Sequence, residues 1–295
     1  MTLLVRDEED IVEQNICFHL NSGVDFIVAI DNGSIDNTPN ILKKYQKKKV
    51  IIYETIKKHT YEQSLWVSRM SKLAVNKYKA THLFHCDADE FWYPTCGNLK
   101  THLPNNNEVF FINIINYIPP QNKNIKKLNF KDFRLATSNP LSYPHDPSKL
   151  KSDQILLYQY PKKILTTNQF LQIKAGNHDV ISKKKYEKKE IKNIFIHHFP
   201  IRNYKHFLKR VIRSGTAMFN SPIKDPLTNW HIRSWYEKYL ASNLLKEYDL
   251  LSLKTNKSLL LSQDTVKQTR VPKKIRFSKL IFQKNRIFKH KTFAS

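Results

Sequence analysis

The sequence predicts an α/β fold in which a mostly parallel sheet carries helices on both faces, followed by a helical, basic C-terminal extension. Three observations support this. Strand-like apolar runs alternate with helical periodicity over about the first 85 residues, the pattern of right-handed crossovers that build a parallel sheet. Polar and acidic clusters (Arg6 to Glu9, Asp31 to Asp36, Asp87 to Glu90) fall where these runs end, and ligands of such sheets bind at the carboxyl ends of strands. Finally, the last 29 residues, from Lys267, hold ten Lys or Arg and no acid.

Residues 2–5 read as a short strand that ends in a charged turn. Val12, Ile16 and Leu20 recur at helical spacing up to Gly23, which suits the left-handed position after a helix. A second buried strand spans 25–30, followed by the turn formers Asp31 to Asn37. Thr38 and Pro39 then make an N-cap and first helical residue for a helix to about Lys48. A third strand covers 50–54. Thr60 with Gln63 resembles a capping box, opening a helix with Tyr61, Leu65, Met70, Leu73 and Ala74 near one face. The fourth strand is 83–86.

Beyond the acid pair Asp87/Asp89 the pattern changes. Residues 108–118 are rich in β-formers, 119–127 form a polar loop, and 139–151, with three prolines, His145 and Asp146, read as a surface excursion. Strands are expected at 154–160 and 163–174, leading to Gly176-Asn177-His178-Asp179. Residues 183–189 are a solvated charge run, and 194–196 deliver His197 and His198. Helices are expected from Asn203, with Phe207, Leu208 and Val211 inward, and over 230–250. Leu280, Ile281, Lys284, Ile287 and Phe288 form an apolar stripe with basic flanks. Such a stretch suits either a helix on an anionic membrane surface or a docked or frayed tail.

Composition narrows the function classes. With 40% hydrophobic residues and only five glycines, the 295-residue chain is a folded protein rather than a low-complexity one. A formal charge of +25 favours polyanionic surroundings: nucleic acid, an anionic membrane face or phosphorylated substrates. Cys17, Cys86 and Cys96 contain no Cys-x-x-Cys pair, so neither a disulfide framework nor a structural zinc is indicated, and a cytoplasmic setting is the simplest. No apolar run reaches signal-peptide or membrane-spanning length, so any membrane contact is expected to be peripheral, at the inner face.

Asp87 and Asp89 share one face if the strand runs on through Ala88. Two converging carboxylates suit a hard divalent cation that completes its shell with phosphate oxygens and water; the alternative is that both acids cap a turn. Lysines interleaved with aromatics also raise a basic nucleic-acid binder. Yet the acids cluster at strand ends while the lysines are spread everywhere, which disfavours nucleic acid as partner. A metal-dependent phosphohydrolase is the rival enzyme class.

Arg6-Asp7-Glu8-Glu9, His19-Leu20 with Gly23-Val24-Asp25, Asp31-Asn32-Gly33-Ser34-Ile35-Asp36-Asn37-Thr38 and Asp87-Ala88-Asp89-Glu90-Phe91 resemble the family 2-type glycosyltransferases of the Rossmann-like GT-A fold. Gly176-Asn177-His178 and His197-His198-Phe199-Pro200-Ile201-Arg202-Asn203, with Phe207 and Lys209, are similar to motifs of one branch of that family. That branch usually has Asn at the position of Asp7 and Tyr at that of Phe199. The likeness covers about residues 1–215.

The resemblance implies a glycosyltransferase domain over 1–220, with a nucleotide-binding half at 1–104, an acceptor-side half at 105–220 and the extension at 221–295. It implies transfer of a sugar of hexosyl type, with inversion, from a nucleotide-sugar donor to a glycan or glycolipid acceptor. Arg6, Glu8, Asp31, Asn32 and Asp87 would contact the nucleotide. Asp87 and Asp89 would hold Mn²⁺ or Mg²⁺ against the diphosphate, with His198 as a third ligand or else a core histidine. Inversion needs a base for the acceptor hydroxyl; Asp179 is the first candidate, His178 the next, and Glu90 either a third or a brace for the loop, with Asp153 in reserve. Arg202 and Lys209 would meet phosphates or lie solvated.

Overall fold

The structure is a computed structural model describing residues 1–56, 62–103, 108–122, 127–144, 146–183, 185–219, 229–277 and 279. The chain divides into two compact units: Met1–Asn113 with Lys162–Ile196 and Phe277–Ser295, and Ile114–Pro161 with His197–Arg276.

The expected alternation is present as β1 (Thr2–Val5), α1 (Val12–Asn21), β2 (Ile27–Asp31), α2 (Thr38–Lys47), β3 (Ile51–Thr55), α3 (Gln63–Asn76) and β4 (His82–Asp87). Strands β5 (Glu90–Pro94), β6 (Val109–Asn116), β7 (Leu135–Thr137), β8 (Lys163–Thr167) and β9 (Lys188–His198) follow. The remaining elements are α4 (Tyr204–Phe219), α5 (Trp230–Leu240), α6 (Leu244–Leu251), α7 (Lys257–Ser262), β10 (Val266–Gln268) and α8 (Lys273–Arg276). Eight strands form one sheet, ordered β3-β2-β1-β4-β8-β6-β9-β5. Its first four strands are parallel, and β8 runs antiparallel to both β4 and β6. This is an α/β architecture consistent with a Rossmann-like GT-A fold.

The strand order puts helices on both faces. From β1 to β2 to β3 the chain steps one way, then returns past β1 to β4. Right-handed crossovers therefore place α1 and α2 on one face and α3 on the other. The α3 side is packed by Trp66, Val67, Met70 and Ala74 against Val28 and Ile30 of β2, Leu83 of β4 and Ile164 of β8. Each such large side chain contributes about 1.5–3 kcal/mol on burial.

Here the sequence reading is corrected. Leu65 and Leu73, expected inward on α3, are exposed, while Gln63, Ser68 and Ser71 are buried. Thr60 lies outside the described residues, as do Tyr61 and His145. The helix has Glu62 at its N-cap with no side-chain cap bond, and Gln63 points elsewhere, as described below. Thr38 is the first helical residue of α2 rather than its cap, and its hydroxyl accepts the Glu8 N–H at 2.8 Å.

In the second unit, β7 pairs antiparallel with β10. Phe207 and Val211 of α4, Trp235 of α5 and Tyr248 and Leu251 of α6 pack with Ile155, Leu156, Leu157 and Tyr158. That last run, expected as a strand, is a series of turns, with Leu157 N–H bonded to Gln154 O at 2.8 Å. A short continuous apolar run does not distinguish a strand from any other buried segment. The helix expected over 230–250 is two helices. Ser242 adopts φ 59° and Asn243 N–H closes onto Lys238 O at 2.7 Å, a Schellman-type ending. The strand expected at 163–174 stops at Thr167. The apolar stripe at 280–288 lies outside the described residues. Among the described residues, no helix is long and apolar enough to cross a membrane.

Candidate active site

Strand β1 lies where the order of the sheet reverses, and register fixes what flanks it there. Val5 pairs with Asp31 of β2 and Leu4 with Asp87 of β4. With strands spaced about 4.8 Å apart, Asp31 and Asp87 stand roughly 10 Å from one another at the carboxyl ends of the strands, at the switch point where open α/β sheets take ligands.

Strand β4 ends at Asp87, and Ala88 and Asp89 form the turn into β5. The strand does not run on through Ala88, so the turn, not strand periodicity, directs the two carboxylates. Asn15 of α1 holds this turn by its backbone: its Nδ2 donates to Glu90 O at 2.7 Å and Ala88 O at 3.0 Å. His19, one turn further along α1, accepts the Trp92 N–H at Nε2 (3.1 Å) and faces the Asn15 carbonyl through Nδ1 (2.9 Å). Burial, partly opposed by the Asn15 bond, pushes its pKa down to about 3, so the ring is neutral.

The acids are organised around a lysine that sequence reasoning missed. Lys163, first residue of β8 and 4% exposed, places Nζ 2.7 Å from Asp87 Oδ2 and 2.8 Å from Glu90 Oε1. Burial alone would lower its pKa, but the two carboxylates hold it well above the usual range, so the ammonium stays charged. Glu90, 1% exposed, also accepts the Asp87 N–H at 3.2 Å. These contacts make it a brace for the turn. Asp87 Oδ1 faces Gln63 Nε2 at 3.4 Å and Asn177 Nδ2 at 3.5 Å. Asp89 is buried.

The two other polar clusters are laced together. Asp7 N–H donates to Ser34 Oγ and Asp7 Oδ1 accepts the Ile35 N–H, each at 2.8 Å. Glu9 exchanges 3.0 Å bonds with Asp36 and Asn37, and the Glu8 main-chain carbonyl accepts the Ile11 and Val12 N–H groups at the start of α1. Asp31 is fully buried: Oδ1 accepts from Ser34 N (3.0 Å) and Ser34 Oγ (2.5 Å), and Oδ2 from Thr55 Oγ1 (3.4 Å). These bonds shape the loop. Asn32, by contrast, carries a buried Oδ1 without a hydrogen-bond partner. Arg6 is half-buried beside this loop pair in sequence.

The Gly-Asn-His-Asp segment is fastened to α3. Ser64 Oγ donates to Ile173 O at 2.5 Å, Ser68 Oγ accepts the Ile173 N–H at 2.8 Å, and Gln63 Oε1 accepts the Gly176 N–H at 2.8 Å. Gln63 thus links this loop to Asp87. Gly176 (φ 77°) and Asn177 (φ 58°) are both left-handed, a conformation that costs glycine nothing and asparagine a little. The His178 ring packs over Gly176, with Nδ1 3.1 Å from Lys162 O. Because a carbonyl only accepts, Nδ1 carries a hydrogen. Asn177 Oδ1 is buried without a hydrogen-bond partner.

Asp179 accepts from Tyr186 OH (2.8 Å) and Val180 N–H (2.9 Å) and pairs with Lys188 (3.1 Å) and Lys174 (3.3 Å). Burial raises its pKa, but these bonds outweigh it and leave the carboxyl at about 2. A carboxylate so committed is a weak proton acceptor near neutrality.

His197 and His198 close β9 and belong to the second unit. His197 Nδ1 lies 3.0 Å from Tyr117 OH, and burial lowers its pKa to about 4. His198 Nδ1 lies 2.8 Å from Asn116 Oδ1, an acceptor, which puts a hydrogen on Nδ1. Phe199 stacks on Tyr117 at 4.4 Å. Arg202 is buried, Lys209 exposed, and Asp153 half-buried.

The donor chemistry suits a hard cation. Asp87 and Asp89 offer carboxylate oxygens, and the Asn177 amide faces Asp87 through Nδ2. Among the described residues, no group of three His, Cys, Asp or Glu side chains is placed to hold a metal. The protein alone therefore makes no complete cage. A cation held through one or two carboxylates and completed by substrate phosphates fits this set.

No family model matches the chain, and no curated protein matches it. Solved structures of S. aureus TarS 1–349 are similar to it. Alone, TarS has 12% identity over 88% of this chain and 73% of that one, with TM-score 0.30. In complex with UDP-GlcNAc the identity is 12%, over 88% and 74%, with TM-score 0.38. In complex with UDP it is 13%, over 88% and 73%, with TM-score 0.31. A likeness at these TM-scores is too distant to bear on this chain's chemistry.

Proposed function

We propose that the chain is a metal-dependent glycosyltransferase that moves a sugar from a nucleotide-diphosphate donor to a glycan or glycolipid acceptor, with inversion. The observation that carries this reading is the pairing of two polar centres across β1: the Asp31–Asn32 loop and the Asp87–Glu90 turn, about 10 Å apart at the switch point. A nucleoside diphosphate bridges such a gap, base to one side and phosphates to the other. Asn32 Oδ1 is the acceptor best placed to read a base N–H, since Asp31 is consumed by its own loop.

Asp87 and Asp89 would hold Mn²⁺ or Mg²⁺, with substrate phosphates and water completing the shell. Such an ion stabilises charge on the departing diphosphate. Lys163 holds Asp87 in place before any donor arrives. His178 replaces Asp179 as the favoured base: its Nε2 lone pair takes the acceptor hydroxyl proton, while Lys162 O fixes the tautomer. Residues 267–295 would give a peripheral contact with anionic membrane.

Thermal denaturation tests the reading. UDP or GDP together with Mn²⁺ should raise the midpoint, by about 2.7 kcal/mol of stabilisation at a hundredfold excess over Kd, and neither alone should match it. Asp89→Ala should abolish sugar transfer and leave the circular dichroism spectrum unchanged. Undiminished turnover in that variant rejects the assignment. Hydrolysis of phosphate esters without transfer would favour the phosphohydrolase instead.

A further inference from the structure

The second unit contains a cleft of about 440 Å³ whose lining includes five cations and no acid: Lys131, Arg134, Lys257, Arg270 and Arg276. Its apolar floor includes Phe130 and Phe133, both buried. Three separate stretches meet there because β7 and β10 pair, Leu135 opposite Gln268, and Thr269 N–H donates to Arg134 O at 2.9 Å. The cleft lies wholly within one unit and involves none of the residues assigned to sugar transfer.

In a chain of charge +25 a basic surface by itself means little. The kind of cation is more informative. The sequence has 40 lysines and only ten arginines, so eleven residues drawn at random would include fewer than one arginine; this lining has three. Compositional bias toward lysine does not produce that. Arginine presents a planar fork that binds phosphate through two parallel hydrogen bonds, which lysine cannot do. Arg134 and Arg270 are exposed, and among the described residues neither forms an ion pair. The acid nearest in sequence, Asp132, is not part of the lining.

We infer that this cleft is a binding site for a phosphate group, gripped by Arg134, Arg270 and Arg276, and that it is separate from the proposed transfer chemistry. The phosphate could belong to a soluble phosphomonoester or to a lipid headgroup, and the two sources are told apart by the probe. The full chain is titrated with glycerol 3-phosphate by calorimetry and, in a second arm, sedimented with phosphatidylglycerol or phosphatidylcholine vesicles.

Arg134→Gln with Arg270→Gln should weaken binding at least about tenfold, since each change removes a charge-assisted pair of bonds to phosphate. Lys43→Gln with Lys47→Gln, which removes the same charge from exposed positions on α2, should change it less than about twofold. Arg134→Lys with Arg270→Lys keeps the charge but loses the fork and should behave like the glutamine pair. Binding of glycerol 3-phosphate assigns a soluble ligand; arginine-dependent sedimentation with phosphatidylglycerol alone assigns a headgroup. The inference is overturned if neither probe binds, if the α2 pair weakens binding as much as the arginine pair, or if the lysine pair binds like the parent.

Discussion

Replacing Lys163 by Met removes the ammonium that lies 2.7 Å from Asp87 and 2.8 Å from Glu90. Glu90 bears most of the effect, being 1% exposed, whereas the Asp87 side chain is 28% exposed and partly screened by water. Removing one partner of a buried pair costs about 3–5 kcal/mol, because the other charge is left uncompensated. For a chain of this size that corresponds to a drop in Tm on the order of 6–10 °C. The orphaned Glu90 must then favour its protonated form in the folded state, so the loss should be full at pH 7 and shrink as the pH falls and Glu90 takes up a proton. Urea denaturation of the parent, Lys163→Met, Glu90→Gln and the double variant at pH 7 and pH 5 measures this as a cycle. The double variant should recover much of the loss, since a neutral pair leaves no buried charge. A loss below about 1 kcal/mol in Lys163→Met, or a double variant less stable than the single one, refutes the reasoning.

Gly176→Ala would put a Cβ 2.7 Å from His178 Nε2 at a φ of 77°; the expected result is a stability loss of about 1–3 kcal/mol and a displaced His178 resonance in NMR. Asp179 contributes stability above the ordinary carboxylate range that is lost as the pH falls through its folded pKa of about 2. Asp179→Asn should therefore be less stable than the parent at pH 7, and the two should converge near pH 2 in denaturant titrations. His19 and His85 are pushed down to about 3, chiefly by burial. Their contribution is complete above the unfolded value of about 6.5 and declines as the pH drops toward 3, so the urea midpoint should decrease steadily from pH 7 to pH 4. A flat midpoint would contradict their neutral burial.

The parallel half of the sheet was legible because strand and helix periods alternate there and each strand ends in polar residues. Asp31 and Asp87 were placed correctly at strand ends for the same reason. Lys163 was not legible. A lysine opening the apolar run of β8 gives no sign that its partner lies 76 residues earlier, since that encounter is created by β8 inserting between β4 and β6. The inward face of α3 was misread on similar grounds. Gln63 and Ser68 look like surface residues until the segment around 173–176 arrives to bond them. Proton affinity at Asp179 was not legible either, because its four hydrogen-bond partners come together only in the folded chain.

Asn15 grips the peptide groups of Ala88 and Glu90, not the carboxylates around them. The hairpin's contour is consequently templated by a neighbouring helix through main-chain atoms. Changing the side chain at 89 therefore leaves that template untouched, whereas a change at 87 also breaks the contact with Lys163.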